Sequence, residues 1–181
     1  MKTSIKNITF VVVAILSLAA CSSTQSLQEY YVDNSENSNF LQIDVPASLL
    51  NLESVDLTDK QREAINSVKK LNILAFKKTK SNVVEFVAET AKVKAILKDK
   101  KYVQLMKIKS SYGKGVVKYL GDEDAIDEVI IFGAKDDQGF ALIRILGKDM
   151  NPANLIELVK AIEKSDYKGE GLGGLEKFLG K

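Results

Sequence analysis

The 181-residue sequence has no histidine, no tryptophan, one cysteine, two prolines and only two arginines, Arg62 and Arg144. Without histidine there is no Ser-His-Asp or Cys-His nucleophile system, no His-ligated zinc and no usual neutral-pH general base. A lone cysteine permits neither an intramolecular disulfide nor a cysteine-rich metal site. Scarce arginine removes the forked donors that phosphate recognition recruits, since the other 24 basic side chains are lysine. Those lysines are interspersed with 24 acidic residues, the pattern of a solvated face, and no nucleic-acid partner is expected. The length suits one domain.

The lone cysteine sits where several N-terminal signals converge. Lys2 and Lys6 supply a positive start, and residues 8–20 read ITFVVVAILSLAA, thirteen residues with only Thr9 and Ser17 polar. A membrane-crossing helix needs about 20 residues, so this run fits the hydrophobic part of a secretory signal. It ends Leu18-Ala19-Ala20-Cys21, followed by Ser22-Ser23-Thr24-Gln25. That string resembles the bacterial lipobox. Small residues let a peptidase approach, and the Cys21 thiol is the nucleophile that takes a diacylglyceryl group. The resemblance implies cleavage before Cys21 and acylation of the new amine, a palmitate-type membrane anchor. Two chains suffice for stable anchoring, because each buried CH₂ contributes about 0.8 kcal/mol. Ser22 in place of Asp favours the outer membrane, and the lack of acids over residues 22–28 favours its periplasmic side. Cleavage removes two lysines and leaves 24 basic against 24 acidic side chains.

Residues 21–38 are rich in Ser and Asn and read as a polar tether, with Tyr30-Tyr31 able to dock it on the domain. A first strand is expected where Leu41, Ile43 and Val45 alternate with Gln42 and Asp44. Pro46 suits the opening of a short helix through Leu52. Thr58-x-x-Gln61 predicts a capped helix with Ala64, Ile65 and Val68 as its stripe. Leu71 to Phe76 reads as a strand buried on both faces. A longer helix is predicted over residues 82–98, capped by Asn82-x-x-Glu85. Its apolar face would join Val83, Val84, Val87 and Ala91 to Phe86, Val93, Ile96 and Leu97. Period-two patterns then predict strands over 102–109, 116–120, 126–134 and 140–146. Their short connectors rule out parallel crossovers and so require an antiparallel meander. Asn151-Pro152 predicts a last helix with Leu155, Leu158, Val159 and Ile162 inward.

The expected fold class is α+β: a single domain with a largely antiparallel sheet, a C-terminal four-strand meander and helices packed mainly on one face. Its expected limits are a signal peptide over 1–20, a tether over 21–38, the domain over 39–165 and a flexible Gly-rich tail over 166–181.

Candidate chemistry is sparse. Gly169-x-Gly171-x-x-Gly174 matches a dinucleotide-binding string but follows the last helix instead of opening one, so no cofactor is expected. Asp122, Glu123, Asp124, Asp127 and Glu128 form an acidic run, yet Ile126 and Asp127 break the EF-hand spacing. No metal is expected, and Asp122 and Asp124 remain candidates for a ligand or partner. No Gly-x-Ser-x-Gly elbow supports a hydrolase, and no catalytic residue is assigned. Arg144 interrupts the apolar run of residues 140–146. It is either a cross-strand ion pair, with Glu128 as partner on a partly solvated sheet face, or an anion anchor in a sheet-face groove.

The runs GDEDAIDEVIIFG and FALIRILGKDMNP, with YVQLMKIKS and LNILAFKK before them, resemble the domain-of-unknown-function 4252 family of small bacterial envelope lipoproteins. The resemblance covers residues 26–165 and implies an acylated periplasmic protein without established catalytic residues. Together these readings point to a non-enzymatic scaffold, sensor or partner-binding module with an envelope protein as partner. The alternative is a carrier of a small hydrophobic or anionic ligand in a sheet–helix cavity lined by Val129, Ile131 and Phe140.

Overall fold

The computed structural model describes residues 25–50, 56–110, 113–154 and 157. The expected signal peptide, Cys21, the stripe Leu155, Leu158, Val159 and Ile162, and the expected Gly-rich tail lie outside the described residues. Among the described residues the chain runs α1 (Leu27–Asp33), β1 (Phe40–Pro46), a 3₁₀ turn (Ala47–Leu50), α2 (Asp59–Asn66), β2 (Val68–Lys77), α3 (Val83–Ile96), β3 (Val103–Ser110), β4 (Gly113–Asp122), β5 (Ala125–Lys135), β6 (Gly139–Met150) and a 3₁₀ turn (Pro152–Asn154). The six strands form one antiparallel sheet in the order β1-β2-β6-β5-β4-β3. The α+β class and the four-strand meander are as expected from the sequence.

The topology follows from one long crossing. β2 and β3 lie four strands apart, about 19 Å at the usual strand spacing. The 14 residues of α3 span about 21 Å, enough to carry the chain across the sheet. The meander then walks back until β6 pairs with β2. Gly139 makes the final turn at φ +134°, a backbone state that disfavours side chains. A Cβ there would also collide with the Phe76 carbonyl.

Each sheet face carries its own core. On one, the register aligns Phe40, Phe76 and Phe140 across β1, β2 and β6. Their rings meet edge-on at 5.0 Å (Phe40–Phe76) and stacked at 5.5 Å (Phe76–Phe140), favourable geometries for aromatic pairs. Leu27, Tyr30 and Tyr31 of α1 and Phe86, Val93 and Ile96 of α3 close this layer. On the other face Val45, Leu71, Val129 and Ile145 pack beneath Leu57 and Ala64, the latter from α2. Among the described residues helices thus lie mainly on one face, α1 and α3 on one side against α2 on the other. β2 and β5 sit inside the sheet with residues buried on both sides, as their continuous apolar runs predict.

Several expectations need correction. The 21–38 stretch is not a tether throughout. Ser26 and Glu29 form a capping box that opens α1, and Leu27, Tyr30 and Tyr31 are buried in the core. Three apolar side chains at helical spacing outweigh the polar composition around them. Val68 belongs to β2 and not to α2, which ends at Asn66 behind the Thr58–Gln61 capping box. Pro46 ends β1, and a 3₁₀ turn over Ala47–Leu50 follows it; residues 51 and 52 of the expected short helix lie outside the described residues. The cap expected at Asn151 is present, with Ala153 N 2.9 Å from its Oδ1, and it opens a 3₁₀ turn; Glu157 is helical, and the rest of the expected last helix lies outside the described residues.

α3 shows the largest departure. Val83, Val84 and Val87 face solvent, with Val84 85% exposed, while Phe86, Val93 and Ile96 point inward. Polar partners hold this rotation. Glu89 is buried against Tyr30, and Glu85 receives Asn37 and Asn39. Asn82 precedes the helix without capping it. Its side chain instead accepts from Thr79 N and donates to the Asn39 side chain and the Lys77 carbonyl.

Candidate functional site

Arg144 lies on β6, on the face that α1 covers. The register places it opposite Ile130 of β5 and Asn72 of β2. Glu128, two residues before Ile130, is therefore its diagonal neighbour on the same face, within reach of a long side chain. Arg144 Nε donates to Glu128 Oε1 at 2.5 Å and Nη2 to Oε2 at 3.0 Å, a bidentate fork. Nη1 donates to Gln28 Oε1 at 2.8 Å, and the guanidinium stands 5.2 Å from the Tyr31 ring centre. Arg144 and Glu128 are 7% and 6% exposed.

The ion pair expected from the sequence is present. Its setting is corrected: the face is roofed by α1, not partly solvated. Three of the five guanidinium N–H groups are committed within the fold, and one plane faces the Tyr31 ring. Burial opposes its charge, but the Glu128 hydrogen bond and charge prevail and raise its pKa above the ordinary value.

A hollow of about 130 Å³ lies beside the pair, where Gln28, Tyr31 and Arg144 meet Asp44, Lys70 and Asn72. Several of its polar groups are committed within the fold. Asn72 donates to Asp44, and Lys70 pairs with Asp44 at 3.1 Å. The Tyr31 hydroxyl donates to the Leu142 carbonyl at 2.7 Å, with the Asn72 carbonyl at 3.2 Å.

The tyrosines of α1 make a testable pH signature. Burial first, then the Glu89 carboxylate, pushes the Tyr30 phenol far above its ordinary 10.0. Burial likewise raises Tyr31, although Arg144 pulls the other way. Unfolded tyrosines lose their protons near pH 10, so above that pH the unfolded chain binds fewer protons than the native one. Stability is therefore unaffected by these groups below about pH 9. It falls above pH 10 by up to about 1.4 kcal/mol per pH unit for each tyrosine. Tyr30 and Tyr31 should ionise only as the protein unfolds in a phenolate-absorbance titration. Two Tyr→Phe variants assign the late protons, and ionisation of both in the native state would contradict the burial of α1.

The remaining candidates are not brought together with Arg144. Asp122 ends β4 and Asp124 lies in the following turn, both exposed. Glu128, the last acid of that run, points into the core instead. Among the described residues no group of three or more acidic or thiol side chains converges to hold a metal ion. The cavity expected between Val129, Ile131 and Phe140 is not formed. Val129 and Ile131 belong to the α2 face and Phe140 to the opposite one.

Sequence reasoning overlooked a second concavity. A groove of about 490 Å³ opens between the C-terminal half of α3 and the ends of β4 and β5. Val116, Phe132 and Ala134 contribute apolar surface, and Lys94, Lys114, Lys135 and Asp136 are its charged residues. The signal was the lysine-rich flank of the predicted β3–β4 hairpin, which gains meaning only from the register.

The architecture is that of a small α+β domain, a six-stranded antiparallel sheet with an ion pair sealed beneath an N-terminal helix. The family model described as domain of unknown function (DUF4252) matches residues 30–158, and the chain belongs to that family. No curated protein and no solved structure matches it.

Proposed function

We propose that this chain is an acylated lipoprotein of the outer membrane, facing the periplasm, whose domain is a non-enzymatic partner-binding, scaffold or sensing module of the cell envelope. The observation that carries the reading is the string Leu18-Ala19-Ala20-Cys21 at the end of a thirteen-residue apolar run. The start of the domain adds to it. Leu27 is already core, so the residues after Cys21 reach at most about 20 Å. An acyl anchor there would hold the α1–α3 layer close to the bilayer, not on a long tether.

The use of buried charge supports a binding role over catalysis. Arg144 is held by Glu128 and Gln28, and Glu89 by Tyr30 and Lys92. Catalytic groups instead present perturbed side chains to a substrate cleft. The envelope partner would meet the surface, where the apolar ridge of Val84 and Val87 on α3 is exposed.

The test is fractionation of envelopes from cells expressing the native chain or Cys21→Ala, with crosslinking before lysis. The native chain should sediment with outer membrane and carry a fatty-acid label, and the variant should lose both. A native chain that is soluble and unlabelled would refute the anchor. A labelled chain without a reproducible crosslinked partner would refute the partner-binding role.

A further inference from the structure

We infer that the groove between α3 and the ends of β4 and β5 binds an amphiphile with one acyl-like chain and an anionic head. This goes beyond the proposed anchor and does not depend on it. Lys109 of β3 and Lys114 of β4 are direct cross-strand partners, and Lys114 in turn faces Ala134 of β5. Both lysines therefore stand on the face that forms the groove, opposite each other. Like charges in that position destabilise a sheet unless something neutralises them. Lys107 lies on the same face beside Val116, and Lys94 overlooks the groove from α3.

Among the described residues Lys94, Lys107, Lys109 and Lys114 have no ion-pair partner. Lys135 pairs loosely with Asp137 at 3.7 Å, and Asp136 is the one acid lining the groove. A lysine that the fold uses internally looks different. Lys118, deeper on the same face, donates to the Leu97 and Tyr102 carbonyls at 2.5 and 3.0 Å.

The groove contributes what a purely electrostatic site lacks. Val116, Phe132 and Ala134 give it an apolar floor, and 490 Å³ falls within the range of small-molecule sites. A chain laid on that floor places an anionic head among Lys94, Lys109 and Lys114. An acidic protein segment would use the lysines and leave the floor unused, so the amphiphile accounts for both features.

The test uses the mature chain from residue 21 with Cys21→Ser, titrated with the fluorescent fatty acid cis-parinaric acid and with its methyl ester. The acid should bind saturably at one site, and the uncharged ester roughly tenfold more weakly. K109Q/K114Q, at exposed positions, should weaken the acid by a similar factor while melting temperature is retained or raised. Ala134→Trp, which fills the floor, should abolish binding of both.

Non-saturable uptake, equal affinity for acid and ester, or unchanged affinity in K109Q/K114Q would overturn the assignment. Binding that survives Ala134→Trp but not K109Q/K114Q would also overturn it, in favour of an acidic macromolecule on the lysines. Should Ala134→Trp fail to fold, the ester comparison and the lysine variant still decide. The protein carries no acyl group in this assay, so failure here is separate from failure of the anchor.

Discussion

Arg144→Leu is expected to destabilise the domain by about 3–5 kcal/mol, because it leaves Glu128 charged and unpaired beneath α1. The same change removes the donor to Gln28 and the cation from the Tyr31 ring, loosening α1 where it crosses β6. The second variant makes the cause legible. Arg144→Leu with Glu128→Leu removes both charges and should recover most of the loss, since apolar pairs of similar size replace buried ion pairs at little cost. Urea unfolding of the three proteins measures this directly. Unchanged stability in the single variant, with loss of a bound anion, would instead make Arg144 the ligand anchor that its sequence position also allowed.

A chain beginning at Asn39 should fail to fold stably. Its N-terminus matches the domain limit expected from composition, and it lacks α1. Leu27, Tyr30 and Tyr31 are almost fully buried, and burying such side chains contributes about 2 kcal/mol each. Their loss alone approaches the 5–15 kcal/mol that typically holds a domain together. It also uncovers Phe40 and strips Tyr30 from Glu89 and Gln28 from Arg144. A chain beginning at Gln25 keeps the Ser26–Glu29 box and should melt like a chain beginning at residue 21. Similar melting of the chain beginning at Asn39 would show that α1 contributes little.

The strands were legible because period two and glycine turns are local properties. Leu41, Ile43 and Val45 alternate in β1, and Gly121 and Gly139 punctuate the meander at positive φ. α1 was hidden by the serines and asparagines that flank it. Its evidence was nevertheless present, in Ser26-x-x-Glu29 ahead of Leu27, Tyr30 and Tyr31. The rotation of α3 was not legible for a different reason. Valines and alanines line one side and Phe86, Val93 and Ile96 the other, so periodicity offers two apolar faces. Long-range partners decide between them, Tyr30 with Glu89 and two asparagines with Glu85. Arg144 was legible because it breaks an apolar strand, and Glu128 because it is an acid on the neighbouring strand of the meander. Their roof was not, since it required α1. The groove was invisible because Lys109 and Lys114 become neighbours only through the hairpin register.

The most direct test of the proposed function is the intact mass of the protein purified from the envelope of a Gram-negative host. The account predicts a chain that begins at Cys21 and carries diacylglyceryl and amide-linked acyl groups. A chain that keeps residues 1–20, or is cut elsewhere and has an unmodified Cys21, would contradict it.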